Sequence, residues 1–525
     1  MLQSASIPAK KKIMPAIDFS RYKAGNALEF SGRQKFIYRA LEIFPGLLSW
    51  STLAVCVAAC FIAPMQISIF IIAFDVYWLL KTLYLSIHLW NNWKKMEKNL
   101  KTDWKLKLAG RDYTEIWHLV ILPFYNESGQ IIEKSLKALA EADYDTKKLA
   151  VVLAAEEKAG KNAEELASGL CKKYKKHFGY FLVSIHPENL PGEQPGKGAN
   201  TSWACSLARK KIIEKNHLPE KNIIVSVFDI DTVIYPQYFL CLSWNYLEQK
   251  NPELAAYQPV PVFNNNIWEA SAVSRLMAYS CTFWHMIQQE TVNRLTTFSS
   301  HAHSLTALKK SGFWQKNIVS EDSRIYWNCF FASRGNYYTV PMVYPVSMDA
   351  NAGKTWLETI INIYKQQRRW CWGVENIPYL AFGFLFNKEI PFFKKIYVFI
   401  TQLFDFWSLA TNPLIIFILG WMPVLFGGTQ FNTTVLSYNL PIVTRNLMII
   451  TMLSLSVCAA ISVRLMPELP ERMKKTRFFH VIMQWVLIPV TINFFSALPA
   501  LDAQTRLMFG RYMNFWVTPK HRRKN

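Results

Sequence analysis

Asp229 and Asp231, separated only by Ile230, are the residues whose type and spacing say most about chemistry in this chain. Carboxylates two positions apart in extended chain project to one side, and two hard oxygen donors suit Mg²⁺ or Mn²⁺ held jointly by a diphosphate. A solvated turn carrying acids by chance is the alternative. Polar residues recur at comparable places: Asn126 and Glu127 follow one apolar run, and Glu156 and Glu157 follow another. Ser320-Glu321-Asp322 comes after FWQKNIV, where either acid can serve as a general base if a cleft holds it near a hydroxyl. Acids at a helix start also act simply as caps.

The stretch PGEQPGKGANTSWACSLARKK reads as a Gly-rich loop running into a helix, whose free backbone N–H groups and Lys197 can meet negative charge. It lacks the Lys-Ser or Lys-Thr spacing of a P-loop, which argues against an ATPase. Gln366, Arg369 and Trp370 fall at i, i+3 and i+4, on one face of a helix expected to begin near Trp356. Trp356, Ile360, Ile363 and Tyr364 give that helix an apolar stripe, so it is expected along a membrane surface, with Arg and Trp as its functional groups or its anchors.

Elements must position these groups. Between Glu115 and Val346 the runs IWHLVILP, KLAVVLAA, YFLVSI, NIIVSVFD, AAYQPV and YYTVPMVYPV alternate with helical stretches, which predicts an α/β sandwich with a mixed, largely parallel sheet. Ligands of such sheets sit at the carboxyl ends of the strands, where the polar residues above fall.

The rest of the chain is apolar. Hydrophobic residues make up 51% of 525 and charged residues 18%, too apolar for a string of soluble domains, while 15% aromatics exclude disorder and collagen. A mean hydropathy of +0.07 requires a polar globular part beside the spans. Spans are expected at roughly Phe44 to Pro64 and Gln66 to Trp90, forming a hairpin, and at about Tyr397 to Phe426 and Leu447 to Val463. The first follows too long a polar leader for a cleaved signal. A fifth segment, Phe478 to Ala500, is expected to be re-entrant or interfacial and broken near Pro489 and Pro499, because a full crossing would carry the basic tail outside. Lys and Arg flank the hairpin on both sides, which places the intervening domain in the cytosol. The nine cysteines form no CxxC pair and read as reduced, packed thiols. The sequon at Asn432 reads as chance.

Taken in order, FYNE (124 to 127), the acids after the second strand, GKGAN (196 to 200), DID (229 to 231), SED (320 to 322) and QQRRW (366 to 370) resemble membrane-embedded family 2 glycosyltransferases, the group of cellulose, chitin and hyaluronan synthases. The resemblance covers about Trp117 to Trp370. Its pattern usually places Asp after the second strand, where this chain offers Glu156 and Glu157, and the sequence leaves open which faces the nucleotide. Phe515-Trp516-Val517-Thr518-Pro519-Lys520 looks like the FxVTxK gating loop of bacterial cellulose synthase, where further spans follow it.

The resemblance implies a GT-A fold, a UDP-sugar donor, Mg²⁺ or Mn²⁺, and inversion at the anomeric carbon. It makes Asp229 and Asp231 the metal and nucleotide ligands, with Asn126, Glu127, Glu156, Glu157, Lys197 and Arg369 at the donor, and Asp322 the base. Gln366, Trp370 and Glu321 would meet the acceptor or diphosphate, and Phe515, Val517, Thr518 and Lys520 would gate. Ser299, Ser300, His301 and His303 lie where the family places acceptor contacts, although His two apart also suits strand packing. The implied layout is a basic cytosolic segment (1–43), a transmembrane hairpin (44–90), a cytosolic GT-A domain (91–350), interfacial helices (351–395), a C-terminal membrane region (396–510) and a cytosolic tail (511–525). The expected partners are a nucleotide sugar, a glycan or lipid acceptor, membrane lipids, and a second copy or membrane partner to complete a channel. A processive synthase of the plasma (inner) membrane leads, ahead of a single-sugar transferase acting on a lipid. A transporter is the non-enzyme rival, with Asp75 and Asp405 the only carboxylates well inside spans. Nucleic acid is not expected, since the lysines behind the net charge of +22 hug the spans.

Overall fold

The computed structural model describes residue 18 and residues 22–454, 456–468 and 476–519. Its centre is an eight-stranded sheet: β1 (Trp117–Phe124), β2 (Leu149–Glu156), β3 (Tyr180–His186), β4 (Ile223–Val227), β5 (Val233–Ile234), β6 (Ala255–Val262), β7 (His301–Ser304) and β8 (Tyr338–Ser347). The strand order is β3-β2-β1-β4-β7-β6-β8-β5. The β3-β2, β2-β1, β1-β4 and β6-β8 pairs are parallel, whereas β7 runs antiparallel between β4 and β6, and β5 runs antiparallel along β8. All six expected strands are present. β5, which the sequence did not announce, and β7, where the spacing of His301 and His303 suits strand packing, make the sheet mixed.

The runs are continuously apolar because both sheet faces are covered. Along β1 the side chains alternate, Val120 and Leu122 toward one layer and Leu119 and Ile121 toward the other. The first layer holds the helices Gly129–Ala140, Lys161–Tyr174 and Tyr238–Leu247. The second holds Lys197–Ala208, Glu321–Ala332 and Asn376–Phe386, and Tyr22 from before the first long helix stacks on Tyr379 at 4.5 Å.

This α/β domain is inserted between helices long and apolar enough to cross a membrane: Gly32–Ile62 and Pro64–Lys101 before it, and Phe392–Leu419, Val435–Arg464 and Phe479–Met508 after it. The hairpin turns at Ala63, with Pro64 in the first helical turn, where its missing N–H costs nothing. The segment expected to break at Pro489 and Pro499 does not break. It stays helical, through a 3₁₀ stretch at Gln484–Leu487 and a π stretch at Asn493–Ala497, and each proline sits in the first turn of the piece that follows. Its two ends meet different parts of the molecule. Trp485 stacks on Phe283 of the α/β domain, with centroids 5.8 Å apart. Gln504 accepts from Ser49 at 2.6 Å, and the Leu507 carbonyl accepts from Arg39 at 2.9 Å.

Candidate active site

The carboxyl ends of β1, β2 and β4 open on a cavity of about 340 Å³. Glu127, Glu156, Lys197, Asp229, Asp231, Glu321, Asp322, Gln366, Arg369, Trp370, Phe515, Val517 and Thr518 all line it. Asn126 and Glu157 do not; both side chains are exposed, and Glu157 instead accepts from the Glu188 N–H at 2.9 Å. Of the two glutamates left open by the sequence, Glu156 therefore faces the cavity. Lys520 lies outside the described residues.

Asp229-Ile230-Asp231 is not extended: the Thr232 N–H donates to the Asp229 carbonyl at 2.8 Å, closing a turn. Both carboxylates line the cavity and take different partners. Asp229 accepts from Lys197 Nζ at 2.7 Å and from the Ser299 hydroxyl at 2.6 Å, while the buried Asp231 accepts from the Asp349 N–H at 3.0 Å. Among the described residues no three His, Cys, Asp or Glu side chains converge as a complete metal site. Carboxylate oxygens keep lone pairs beyond these bonds, so Asp229 and Asp231 fit a divalent cation whose shell phosphate oxygens complete.

Lys197 opens the helix Lys197–Ala208 and reaches across the cavity floor to Asp322, at 2.8 Å. Burial disfavours its charge, but Asp229, Asp322 and Glu321 outweigh burial and hold its pKa above the usual lysine value. Asp322 and Glu321 begin the helix Glu321–Ala332. Burial raises the Asp322 pKa; Lys197 opposes the shift and Asp229 adds to it. Glu321 is also pushed up, by burial first and then by Asp322, and neither of its buried carboxyl oxygens has a hydrogen-bond partner. The helix start is fixed by Glu375, which accepts from the Ser320 N–H at 2.8 Å and its hydroxyl at 2.5 Å. Glycine is required at 198, where an added Cβ would stand 2.8 Å from the Gln315 carbonyl oxygen and 2.9 Å from Glu321 Cβ.

The helix Trp356–Cys371 begins where the sequence placed it. Gln366 accepts from Asn351 at 3.2 Å, and Trp370 packs edge-on to Phe298 at 5.5 Å and beside Phe263 at 6.2 Å. Arg369 lies over the Phe515 ring at 5.2 Å, so the tail and this helix close the same side of the cavity. Arg368 points elsewhere, to Asp502 of the last apolar helix at 2.9 Å. His301 and His303 are strand residues of β7, fully buried, with His303 bonded to the Tyr337 hydroxyl at 2.7 Å. Ser299 lines the cavity, whereas Ser300 pairs with Thr232 at 2.8 Å. Sequence reasoning missed Asp349, although it follows β8 and the strand-end rule applies to it. It also missed His186, which touches Glu156.

A family model described as glycosyl transferase family group 2 matches residues 224–497, more than half of the chain. The chain belongs to this family. The matched region takes in the cavity residues Asp229, Asp231, Glu321, Asp322, Gln366, Arg369 and Trp370. No curated protein matches the chain. Among solved structures, this glycosyltransferase is similar to the mannosyltransferase PcManGT from Pyrobaculum calidifontis in complex with GDP-Man and Mn²⁺, at 14% identity and a TM-score of 0.39, over 75% of this chain and 99% of that one. It is also similar to S. aureus TarS 1-349 in complex with UDP-GlcNAc, at 12% identity and a TM-score of 0.34, over 75% of this chain and 92% of that one.

Proposed function

We propose that the protein is an inverting glycosyltransferase that takes a UDP-sugar on the cytosolic side of the plasma membrane and extends a β-linked polysaccharide. The observation that carries this reading is Lys197, whose buried ammonium joins Asp229 and Asp322 across one cavity closed by the Gln366-Arg369-Trp370 helix and the tail. In the reaction the acceptor hydroxyl oxygen bonds to the anomeric carbon, the bond from that carbon to the diphosphate breaks, and its electron pair leaves with UDP. Asp322 takes the hydroxyl proton, a task that suits a carboxylate of raised pKa in a closed site. Asp229 and Asp231 would hold a divalent cation, which when bound would supply charge to stabilise the leaving diphosphate. Lys197 and Arg369 supply fixed positive charge, and the Trp370 ring offers a stacking face for the acceptor sugar.

The contacts of the segment Phe479–Met508 support an interfacial course with a cytosolic tail, since its start meets the α/β domain and its end meets the beginning of the first long helix. One helix separates the cavity from this segment, through Arg368 and Asp502, which favours a second reading in which the acceptor is a lipid. Asp322→Asn tests the assignment: transfer should fall by about 10²–10⁴-fold, with UDP affinity within a few-fold. Retained turnover in the purified protein would remove Asp322 from the mechanism. Sizing the products from a panel of labelled UDP-sugars separates polymer from single-sugar lipid.

A further inference from the structure

His186 ends β3 directly beside Glu156, which ends β2 in the paired register. It is buried, and each ring nitrogen meets a different carboxylate: Nδ1 lies 2.9 Å from Glu156 Oε2, and Nε2 lies 2.9 Å from Glu193 Oε2. A neutral imidazole has a single N–H and can satisfy one of these acceptors; only the imidazolium donates to both. Burial disfavours that charge, yet the bonds and charges of Glu156 and Glu193 outweigh burial and hold the His186 pKa above the ordinary histidine value.

Both arms of this clamp lead to the catalytic cavity. Glu156 is part of its wall. Glu193 belongs to the loop that runs into Gly196 and Lys197, and its other oxygen accepts from Lys316 at 2.6 Å. The neighbouring Gln194 donates from its side chain to the Met513 carbonyl at 2.9 Å, which fastens the tail to the same loop. Beyond Glu156, Glu193 and Lys316, the Lys197–Ala208 helix meets His186 with the Trp203 ring, whose centroid lies 5.9 Å away.

We propose that His186, as the imidazolium, is a positioning residue that fixes the Glu156 carboxylate for the donor nucleotide and ties that wall to the loop carrying Lys197 and the tail. When the imidazolium loses its proton, one carboxylate faces a ring lone pair and the clamp opens. Nucleotide affinity is therefore full at pH below the raised His186 value and weakens as pH rises through it. This rests on the glycosyltransferase reading of the cavity.

The test measures binding of UDP, and separately GDP, with Mn²⁺ to the full-length protein in detergent across neutral pH. His186→Gln should weaken binding about 10-fold at the acid end, the loss of one charge-assisted hydrogen bond, and should flatten the pH dependence. Glu193→Gln, on the loop, should weaken it less and move the loss of affinity to lower pH, because the imidazolium loses a counter-charge. His186→Lys, which keeps a cation with several donors, should restore most of the affinity and carry it to higher pH. A purely structural histidine would lower stability in all three variants alike and leave the pH profile of the folded fraction unmoved. Wild-type affinity and pH profile in His186→Gln overturn the proposal while the cavity reading stands. Failure of the wild type to bind either nucleotide overturns the cavity reading itself.

Discussion

Gly196 and Phe515 touch so closely that a Cβ built on the glycine would stand 2.8 Å from the ring's Cγ and 3.0 Å from its Cβ. The tail is thus seated on the loop that presents Lys197, and Arg369 lies over the same ring at 5.2 Å. Gly196→Ala should push Phe515 off its seat. Transfer is expected to fall about 10- to 100-fold, as for a catalytic group displaced by about an ångström. Phe515→Ala should cost a similar amount, and the double variant little more than either alone, because both remove one contact. Full activity after deletion of residues 515–525 would leave the tail without a catalytic part.

Lys197 also sets the pH range of the base. Burial raises the Asp322 pKa and the ammonium of Lys197 opposes that rise. Asp322 must be deprotonated to accept a proton, so kcat should rise with pH through its raised value. In Lys197→Met the opposing charge is gone, and the acid limb of the kcat profile is expected to move to higher pH. An unmoved limb would separate Lys197 from the base.

Glu321 makes a stability prediction of definite sign. Its folded pKa is raised above 4.5 by burial and by Asp322, so the folded protein binds a proton that the unfolded chain releases more readily. The resulting stabilisation is complete below the ordinary glutamate value and is lost as pH rises through the folded value. Glu321→Gln should flatten the fall of Tm with rising pH. An unchanged Tm profile would show that Glu321 is ionised in the folded state.

The divalent cation is tested at Asp231, which accepts from the Asp349 N–H and faces the cavity. Asp231→Ala should abolish the Mn²⁺-dependent part of UDP binding, and EDTA should bring the wild type to the same level. UDP binding that is indifferent to both would contradict a metal role.

β1, β2, β4 and β6 were legible because burial on both faces leaves continuous apolar runs between polar strand ends, and the half-buried β3 and β8 because their runs are still mostly apolar. β7 was legible only through the alternation of His301 and His303, which suits strand packing, since His301-Ala302-His303-Ser304 has no apolar run and its histidines are buried by neighbours distant in sequence. Pattern also failed at Pro489 and Pro499, because a proline that looks like a break is compatible with the first turn of a new helical piece. The site acids were readable from their places at strand ends. That Glu156 rather than Glu157 faces the cavity depends on where β2 stops and the following 3₁₀ turn starts, a boundary that composition does not mark. The contact of His186 with Glu193 is local in sequence, but nothing in residue type announces it.

Arg39 and Glu42 carry a consequence for how the molecule is made. Arg39 donates to the carbonyls of Leu507 and Met508, and Glu42 accepts from the Tyr512 hydroxyl at 2.8 Å. These partners of Arg39 and Glu42 therefore leave the ribosome long after the first long helix does. Chains grow at about 5–20 residues per second, so for tens of seconds the Arg39–Glu42 pair, 2.7 Å apart, stands without Leu507, Met508 and Tyr512. Nascent chains halted before Leu498–Met508 should accordingly be drawn to membrane chaperones and proteases, and stop codons ahead of that helix should behave as losses of the whole enzyme.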